Sequence, residues 1–174
     1  MSAGEEIVVI VDEGNQVTGA ATRARMRAEG LWHRSTYILV LDGAGRLYVQ
    51  QRTMTKDVYP GWLDPVTGGV VLAGESYEES ARRELAEEMG IRGVQFETLF
   101  DFPFEQDNMR VWGRVFRCTW DGPITPQPEE VEAVHRMTPA EILQGGGRFT
   151  PDGLLVVRRV FGEPGRVKIG PITT

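Results

Sequence analysis

The sequence predicts a single α+β domain, and three patterns predict this fold class. Residues 6–21 and 35–52 each have the two apolar runs and the central turn of a β-hairpin. Residues 77–89 have the caps and the apolar spacing of an amphipathic helix. Residues 94–120 contain two long strands joined by a short turn. The chain has 174 residues, of which 41% are hydrophobic and 25% are charged, as is typical of one globular domain.

The first half of the chain alternates strands with short connections. A turn at Glu13–Gln16 separates the strands of the first hairpin, and residues 22–30 favour a helix that ends at a glycine. An Asp-Gly pair in the turn at 42–45 joins the strands of the second hairpin. Residues 53–65 contain two prolines and a glycine and therefore predict a loop. Residues 66–72 predict a short strand with glycines at its middle.

The second half predicts a long pair of strands followed by two helices. Apolar residues occupy both faces of the second long strand, which is typical of a central strand. A last strand is predicted at 131–137, and helices are predicted at 138–144 and 150–161 with a glycine run between them. Residues 162–174 are rich in Gly and Pro and predict a loose tail.

Charge and cysteine content limit the classes of function. The net charge of −6 argues against a nucleic-acid groove or an anionic membrane surface, although a phosphate substrate stays compatible if divalent cations bind with it. Cys118 is the only cysteine, which fits a reducing compartment. The N-terminus lacks a signal-peptide pattern, and no apolar run approaches the ~20 residues that span a bilayer. We therefore expect a cytoplasmic protein without nucleic-acid or membrane partners.

The helix at 77–89 carries an unusual set of acids. Ser76 and Glu79 form a capping box at its start, and Gly90 is suited to end it. Its buried face is predicted to consist of three residues at intervals of four, namely Ala81, Leu85 and Met89. Beside this face, within an arc of about 100°, lie three acids, Glu84, Glu87 and Glu88.

Two interpretations of these acids compete. Surface helices often carry Glu and Arg in i,i+4 pairs, and Arg83–Glu87 is such a pair. However, Glu84 and Glu88 are like charges at the same spacing, and all three acids lie toward the helix C-terminus, where the helix dipole disfavours them. A divalent cation would remove both penalties, because hard cations bind clusters of carboxylate oxygens. The acids therefore favour a Mg²⁺ or Mn²⁺ site over surface ion pairs.

The residues around these acids match a longer motif. Positions 69–91 follow Gly-x5-Glu-x7-Arg-Glu-aliphatic-x-Glu-Glu-x-Gly-aliphatic without departure. The residues that fill the motif are Gly69, Glu75, Arg83, Glu84, Leu85, Glu87, Glu88, Gly90 and Ile91. This segment resembles the Nudix box, and the hairpin before it and the long strands after it are also similar to a Nudix domain. The resemblance covers a core of residues 35–145, which leaves residues 1–34 as an N-terminal extension and residues 146–174 as a C-terminal helix and tail.

The resemblance implies a fold, a reaction and roles for the motif residues. The implied fold is the Nudix fold, a mixed β-sheet in an α/β/α sandwich. The implied reaction is hydrolysis of a diphosphate linkage in a small nucleoside diphosphate derivative by attack of water, with Mg²⁺ or Mn²⁺ as cofactor. The implied metal ligands are the carboxylates of Glu84, Glu87 and Glu88 and the carbonyl of Gly69. Glu75 and Arg83 are implied to form an internal ion pair. Many Nudix proteins dimerise, so a homodimer is expected by analogy.

Acids outside the motif are candidates for the general base. In this family the base is often supplied by a later loop, and Glu130 is our first candidate. Glu129 and Glu132 are alternatives, and a solvated acidic loop explains all three equally well. Glu105 and Asp107, at the turn of the long hairpin, are weaker candidates because a polar turn explains them.

Four residues before the motif are candidates for contacts with the substrate. Arg52 and Lys56 are predicted to bind the phosphates, although a strand charge and a loop charge explain them as well. Tyr59 and Trp62 either stack on a base or cover the core, and we favour the core.

Two other functions remain as alternatives. The segment before the motif also resembles the Nudix subgroup that contains isopentenyl-diphosphate isomerases, but residues 61–70 lack the cysteine that this chemistry uses in the family. A non-catalytic Nudix domain that senses a nucleotide is the other alternative, and such domains tend to lose box glutamates, which are all present in this sequence. His33 and His135 are predicted to be ordinary, partly buried residues, and Cys118 is predicted to be inert core filling.

Overall fold

The computed structural model describes residues 2–145 and 148–162, and within them the chain forms eight β-strands and four α-helices. The strands are β1 (Ile7–Val11), β2 (Val17–Thr22), β3 (His33–Leu41), β4 (Leu47–Arg52), β5 (Leu63–Asp64), β6 (Glu97–Gln106), β7 (Met109–Thr119) and β8 (Val131–Met137). The helices are α1 (Arg23–Glu29), α2 (Tyr77–Met89), α3 (Pro139–Gln144) and α4 (Pro151–Phe161). Most of the predicted glycine break and tail lies outside the described residues. Within the described residues, no helix has the length and apolar composition that crossing a bilayer requires.

The sheet is mixed, as predicted, and β3 lies at its centre. β3 pairs in parallel with β7, from His33 opposite Val111 to Leu41 opposite Thr119. The other strand pairs are antiparallel: β1 with β2, β6 with β7, and β4 with both β5 and β8. The prediction that the second long strand is central is confirmed, because β7 lies between β3 and β6. The predicted hairpin of β3 and β4 is shorter than expected, since these strands share only the pair nearest the turn.

Helices cover both faces of this sheet, which confirms the α/β/α sandwich. Successive residues of β3 point to opposite faces: Ile38 and Val40 pack in the cluster that contains α2, while Tyr37 and Leu39 pack in the cluster that contains α3 and α4. The predicted buried residues of α2 all lie in the first cluster, namely Ala81, Leu85 and Met89. The apolar face of α2 therefore fixes which way its acids point.

Helix α2 begins and ends where the sequence predicts. The Oγ atom of Ser76 accepts a hydrogen bond from the amide of Glu79 at 3.1 Å, and the Glu79 carboxylate accepts one from the amide of Ser76 at 3.0 Å. Gly90 follows the helix with a φ of 68°, a left-handed conformation that other residues adopt at a cost. Because both ends are capped, the positions of the acids along the helix follow directly from the sequence.

The strand predicted at 66–72 is not formed as one element, and this prediction was wrong. Isolated bridges at Thr67 and Val70 connect the segment to β3. Gly68 lies between them with a φ of 152° and packs against the backbone of Thr36, so the regular pleat is interrupted. The amide of Gly68 consequently turns toward α2 instead of joining a strand ladder. In addition, the short strand β5 lies within the region predicted to be a loop.

The N-terminal hairpin and α1 pack on the core beside this interrupted segment. Met26 of α1 is buried together with Val8 of β1 and Val70. Thr22 caps α1, since its side-chain oxygen accepts a hydrogen bond from the amide of Arg25 at 3.2 Å. Helix α1, which was predicted from the sequence, therefore lies next to the first residues of the motif.

Gly113→Ala should destabilise the fold. Gly113 of β7 lies where the rings of Tyr37 and Phe102 meet, with ring centroids 5.0 Å apart. A Cβ atom at this position would lie 2.5 Å from Tyr37 and 2.7 Å from Phe102. Both rings are buried, so we expect the free energy of unfolding to fall by about 1–3 kcal/mol, measured by urea denaturation.

Gly19→Ala on the edge strand β2 is the matched control for this variant. Nothing lies within 4 Å of a Cβ atom built at Gly19. Its free energy of unfolding should change by less than about 0.5 kcal/mol. Equal stabilities of the two variants would contradict the close packing over Gly113.

Candidate active site

Arg83 joins α2 to the loop that precedes it. Its Nε and Nη2 atoms donate to the two carboxylate oxygens of Glu75 at 2.7 and 2.9 Å, so the pair is bidentate. Glu75 also accepts a hydrogen bond from the amide of Leu72 at 2.9 Å. The ion pair that the sequence predicted is therefore present, and it ties the loop to the helix.

Arg83 also offsets part of the charge of the acid cluster. Its Nη1 atom donates to Glu84 at 3.0 Å and to Glu87 at 3.3 Å. The Arg83–Glu87 pair expected of an ordinary surface helix is thus formed, and the side chain of Glu87 stays 51% exposed. One guanidinium is shared by the carboxylates of Glu75, Glu84 and Glu87, so the cluster keeps an excess of negative charge.

Glu88 is the most buried of the three acids. Only 6% of its surface is exposed. Its carboxylate accepts hydrogen bonds from the side-chain amide of Gln50 at 3.5 Å and from the backbone amide of Gly68 at 3.3 Å, both of which are long. Burial, followed by the charge of Glu84, raises the pKa of Glu88 to about 8. Since these hydrogen-bond donors are neutral, a bound cation would stabilise the ionised form.

Glu84 lies against the backbone of Gly69. A Cβ atom at position 69 would lie 2.6 Å from a carboxylate oxygen of Glu84, so a side chain at this position would displace the Glu84 carboxylate. The carbonyl of Gly69 accepts a hydrogen bond from the amide of Thr36 at 2.9 Å and a longer one from the Thr36 hydroxyl at 3.4 Å, so a metal ion at this oxygen would replace the longer contact. Burial raises the pKa of Glu84, as it does for Glu88.

The oxygen donors at this site suit a hard divalent cation. Carboxylate and carbonyl oxygens are the ligands that Mg²⁺ and Mn²⁺ prefer. Across residues 2–145 and 148–162, however, no three His, Cys, Asp or Glu side chains converge to hold a metal ion. Two of the acids instead contact Arg83, since Glu84 and Glu87 both accept hydrogen bonds from its Nη1 atom. The fit therefore rests on the poorly compensated carboxylate of Glu88 and its neighbour Glu84.

A cleft of about 610 Å³, counting its open mouth, lies beside Gly69. Four cationic side chains line it, namely Arg23, Arg27, Arg52 and Lys56. Arg52 donates to Asp64 at 3.3 Å, and Lys56 forms an ion pair with Glu130. The structure thus brings both predicted phosphate-binding residues to one cleft, and each of them is paired with a carboxylate.

Some residues of the site were not predicted from the sequence. Burial raises the pKa of Asp64 to about 6. The hydroxyl of Tyr37 donates to Asp152 of α4 at 2.8 Å, and both residues line the cleft. Gln50 lies two residues after Tyr48 and therefore on the same face of β4. This spacing was the one signal in the sequence that the side chain of Gln50 faces α2. The sequence carries no signal for Asp64 and Asp152, because only the tertiary fold brings them to the cleft.

Among the acids considered as general base, Glu130 is the one held at the cleft through Lys56. The charge of Glu130 also contributes to the raised pKa of Glu88, after burial and the charge of Glu84. The other candidates are exposed, namely Glu105, Asp107, Glu129 and Glu132.

The remaining predicted residues divide into three groups. Tyr59 and Trp62 contact each other with ring centroids 5.2 Å apart, and Tyr59 lines the cleft. The expectation of two partly buried histidines was wrong, since His33 is buried, with a pKa lowered to about 4 by burial, and His135 is exposed. Cys118 is buried, and burial raises the pKa of its thiol to about 12, as expected of inert core filling.

Glu75→Gln should lower stability in a pH-dependent way. Burial opposes ionisation of Glu75, but its hydrogen bonds from Arg83 and Leu72 outweigh this effect and lower the pKa below 4.5. The contribution is therefore fully present above about pH 4.5 and is lost as the pH falls through the lower, folded-state pKa. We expect the variant to lose about 1–3 kcal/mol at pH 7, and the difference from wild type to shrink below about pH 4.5.

Glu78→Gln is the matched control, because Glu78 lies on the same helix and forms an exposed i,i+4 pair with Arg82 at 2.9 Å. Its loss should change stability by less than about 0.5 kcal/mol. Urea denaturation over a series of pH values measures both variants. If Glu75→Gln matched Glu78→Gln at every pH, the structural role of the Glu75–Arg83 pair would be refuted.

Sequence comparisons identify the family. A NUDIX domain model matches residues 31–157. The Nudix hydrolase YfcD of Escherichia coli K12 is 51% identical over 152 residues, which cover 87% of this chain and 84% of that protein. A Nudix hydrolase of Streptomyces coelicolor is 41% identical over 165 residues, which cover 92% of this chain and 91% of that protein. Both relatives are themselves described as uncharacterized.

Solved structures agree with this relationship. The crystal structure of DR0079 from Deinococcus radiodurans has a TM-score of 0.79 at 26% identity and covers 90% of this chain and 99% of that chain. The Nudix domain of NrtR from Shewanella oneidensis, solved with ADP ribose, has a TM-score of 0.62 at 16% identity, covering 79% of this chain and 96% of that chain, so this likeness concerns the fold alone. The protein belongs to the Nudix hydrolase family, whose members hydrolyse phosphoric anhydride bonds in nucleotide derivatives and generally require a divalent cation.

Proposed function

We propose that the protein is a pyrophosphohydrolase that uses Mg²⁺ or Mn²⁺ to cleave the diphosphate linkage of a nucleoside diphosphate derivative by attack of water. One observation carries the proposal: the buried carboxylate of Glu88 accepts a hydrogen bond from the amide of Gly68, the partly buried carboxylate of Glu84 lies beside Gly69, and both glycines line a cleft of arginine and lysine side chains. Oxygen donors on one side and cations on the other suit a metal–diphosphate complex, which presents both signs of charge.

In this proposal the metal ligands are Gly69, through its carbonyl, and Glu84, Glu87 and Glu88. The chemistry that the metal supplies is neutralisation of phosphate charge and a lowered pKa of bound water. Arg83 holds Glu75 at 2.7 Å but Glu87 at 3.3 Å. A cation could therefore replace Arg83 at the carboxylate of Glu87, while the shorter contact between Arg83 and Glu75 keeps the loop in place.

Arg52 and Lys56 would bind phosphate oxygens, and this binding would free the base. While Glu130 is paired with Lys56, the ammonium group occupies its carboxylate. When Lys56 turns from Glu130 to a phosphate, Glu130 becomes available to accept a proton from the attacking water. The Lys56–Glu130 ion pair would thus couple substrate binding to the release of the Glu130 carboxylate.

The proposal extends to location, assembly and domain limits. We infer a single cytoplasmic Nudix domain with residues 1–34 as an N-terminal extension and residues 146–174 as a C-terminal helix and tail. A net charge of −6 supports a small-molecule substrate over nucleic acid. The expected homodimer is tested by size-exclusion chromatography with light scattering, in which a monomer at every concentration would refute it.

A hydrolysis panel tests the function. Nucleoside di- and triphosphates, dinucleotides, nucleotide sugars and ADP ribose are incubated with the protein in Mg²⁺, Mn²⁺ or EDTA. We expect nucleoside monophosphate or orthophosphate with the metals and none with EDTA, and ¹⁸O-labelled water should label a phosphate product. Isopentenyl diphosphate is included, because its isomerisation without phosphate release would support the isomerase alternative. The absence of product from every compound would refute the proposal.

Glu88→Gln should abolish hydrolysis without unfolding the protein. The neutral amide cannot serve as an anionic ligand, so we expect kcat/KM to fall at least about 100-fold. Burial already favours the neutral form of Glu88, and the amide is neutral and of similar size, so the melting temperature should stay the same or rise. Glu78→Gln on the exposed face of α2 serves as the control and should retain activity. An inactive Glu88→Gln variant with a clearly lower melting temperature would indicate a structural role instead.

A further inference from the structure

Two arginines of α1 reach the cleft, although α1 belongs to the N-terminal extension. Arg23 and Arg27 are one helical turn apart, and both line the cleft together with Gly69. Their side chains are only 18% and 26% exposed. Arg25, on another face of the same helix, is 62% exposed and pairs with Glu29 away from the cleft. The helix therefore directs two of its three arginines toward the candidate active site.

Helix α1 is held firmly in this position. Met26 packs against Val70, which follows the glycine pair of the motif. The tip of the β6–β7 hairpin holds the other end of the helix: the side-chain amide of Asn108 donates to the carbonyl of Arg27 at 3.0 Å. The guanidinium of Arg110 donates a hydrogen bond of 2.9 Å to the carbonyl of Gly30, the residue that ends the helix. These contacts make α1 a fixed wall of the cleft.

Asp57, in the loop between β4 and β5, forms ion pairs with the guanidinium groups of both Arg23 and Arg27. It accepts from Nε of Arg23 at 3.3 Å and from Nε of Arg27 at 3.2 Å. These distances exceed the range of about 2.7–2.9 Å that is usual for charge-assisted hydrogen bonds, within which Arg83 and Glu75 lie. The side chain of Asp57 is 41% exposed. Asp57 is therefore a loosely held anion that solvent can reach.

The two arginines carry more positive charge than Asp57 alone neutralises. Glu6 contacts Arg23 at 3.4 Å, but in the described part of the chain Asp57 is the only carboxylate paired with Arg27. Burial opposes the charge of Arg23, yet nearby carboxylates raise the pKa of its guanidinium overall, and Glu84 is among them. The guanidinium of Arg23 and the carboxylate of Glu84 therefore interact electrostatically across the cleft region.

We propose that Arg23 and Arg27 clamp the phosphates of the substrate, and that Asp57 is an internal anion which these phosphates displace. The inference rests on the proposed function for the identity of the substrate. A guanidinium binds two phosphate oxygens in parallel, and a diphosphate offers more charge and more acceptors than one carboxylate. Exchange of Asp57 for phosphate is therefore favourable. The N-terminal extension in this way completes the set of cations begun by Arg52 and Lys56.

Binding of ADP in EDTA, measured by calorimetry, tests the clamp without metal and without turnover. Arg23→Gln and Arg27→Gln should each raise the dissociation constant about 10-fold or more. Arg25→Gln, on the exposed face of the same helix, should leave it within about twofold of wild type. Equal affinities for all three variants would overturn the inference. Circular dichroism confirms that each variant is folded.

Asp57→Asn provides an independent test, because its expected effect has the opposite sign. Removal of the competing charge should tighten ADP binding about threefold or more. Asp101→Asn is the matched control, since Asp101 pairs with Arg114 at 2.7 Å outside the cleft, and its affinity should be unchanged. Unchanged or weaker binding by Asp57→Asn would overturn the displacement step, whether or not the arginine variants fold.

Steady-state kinetics on a substrate from the hydrolysis panel separates this inference from the proposed function. The arginine-to-glutamine variants should raise KM more than they lower kcat, since the clamp binds phosphate in both the ground state and the transition state. If wild type hydrolyses the panel and these variants behave like Arg25→Gln, the clamp is refuted and the function stands. If wild type hydrolyses nothing while ADP binding depends on Arg23 and Arg27, the function is refuted and the clamp stands.

Discussion

The ion pair between Arg83 and Glu75 is the contact on which the geometry of the site depends. It joins a helix whose ends are capped to a loop that forms no regular strand. A bidentate pair allows little rotation about the contact, and the amide of Leu72 adds a third hydrogen bond. Because this loop also carries Gly69, the pair sets the distance between the backbone of Gly69 and the carboxylate of Glu84. One interaction thus positions groups that lie fifteen residues apart.

The packing of α2 explains why an acid is buried at all. Leu85 and Met89 enter the core, and Glu88 lies at the edge of the face that they form, so the rotation of the helix that buries Leu85 and Met89 also buries Glu88. Arg83 cannot compensate Glu88, since its guanidinium is already shared by three other carboxylates. A buried carboxylate of this kind is stabilised either by a proton or by a cation. The fold therefore creates a position that favours a proton or, in the proposed function, a metal ion.

The sequence predicted the elements whose signals are local, and it failed where distant segments meet. Helix α2 was predicted to the residue, because its caps and apolar spacing lie within one short stretch. The strand at 66–72 was wrong, because the composition did not show that Gly68 would pack on the backbone of Thr36. The positions of Arg23 and Asp64 at the cleft were not predicted for a related reason: the tertiary packing of α1 and β5 brings both residues there, and the sequence pattern does not show this packing.

The ion pairs of the cleft also explain how a folded protein can keep cations ready for a phosphate. An unpaired buried cation is expensive, so each cation that lines the cleft is matched by a carboxylate. Asp64 lies on β5, pairs with Arg52 and is 15% exposed, whereas Asp57 and Glu130 lie in loops and are 41% and 33% exposed. If the proposed clamp is correct, substrate binding exchanges one anion for another, and only the difference between phosphate and carboxylate contributes to the affinity. Because the anions that exchange lie in loops while Arg23, Arg27 and Arg52 lie on helices and strands, the exchange leaves the fold intact and changes only which oxygen atoms the cations hold.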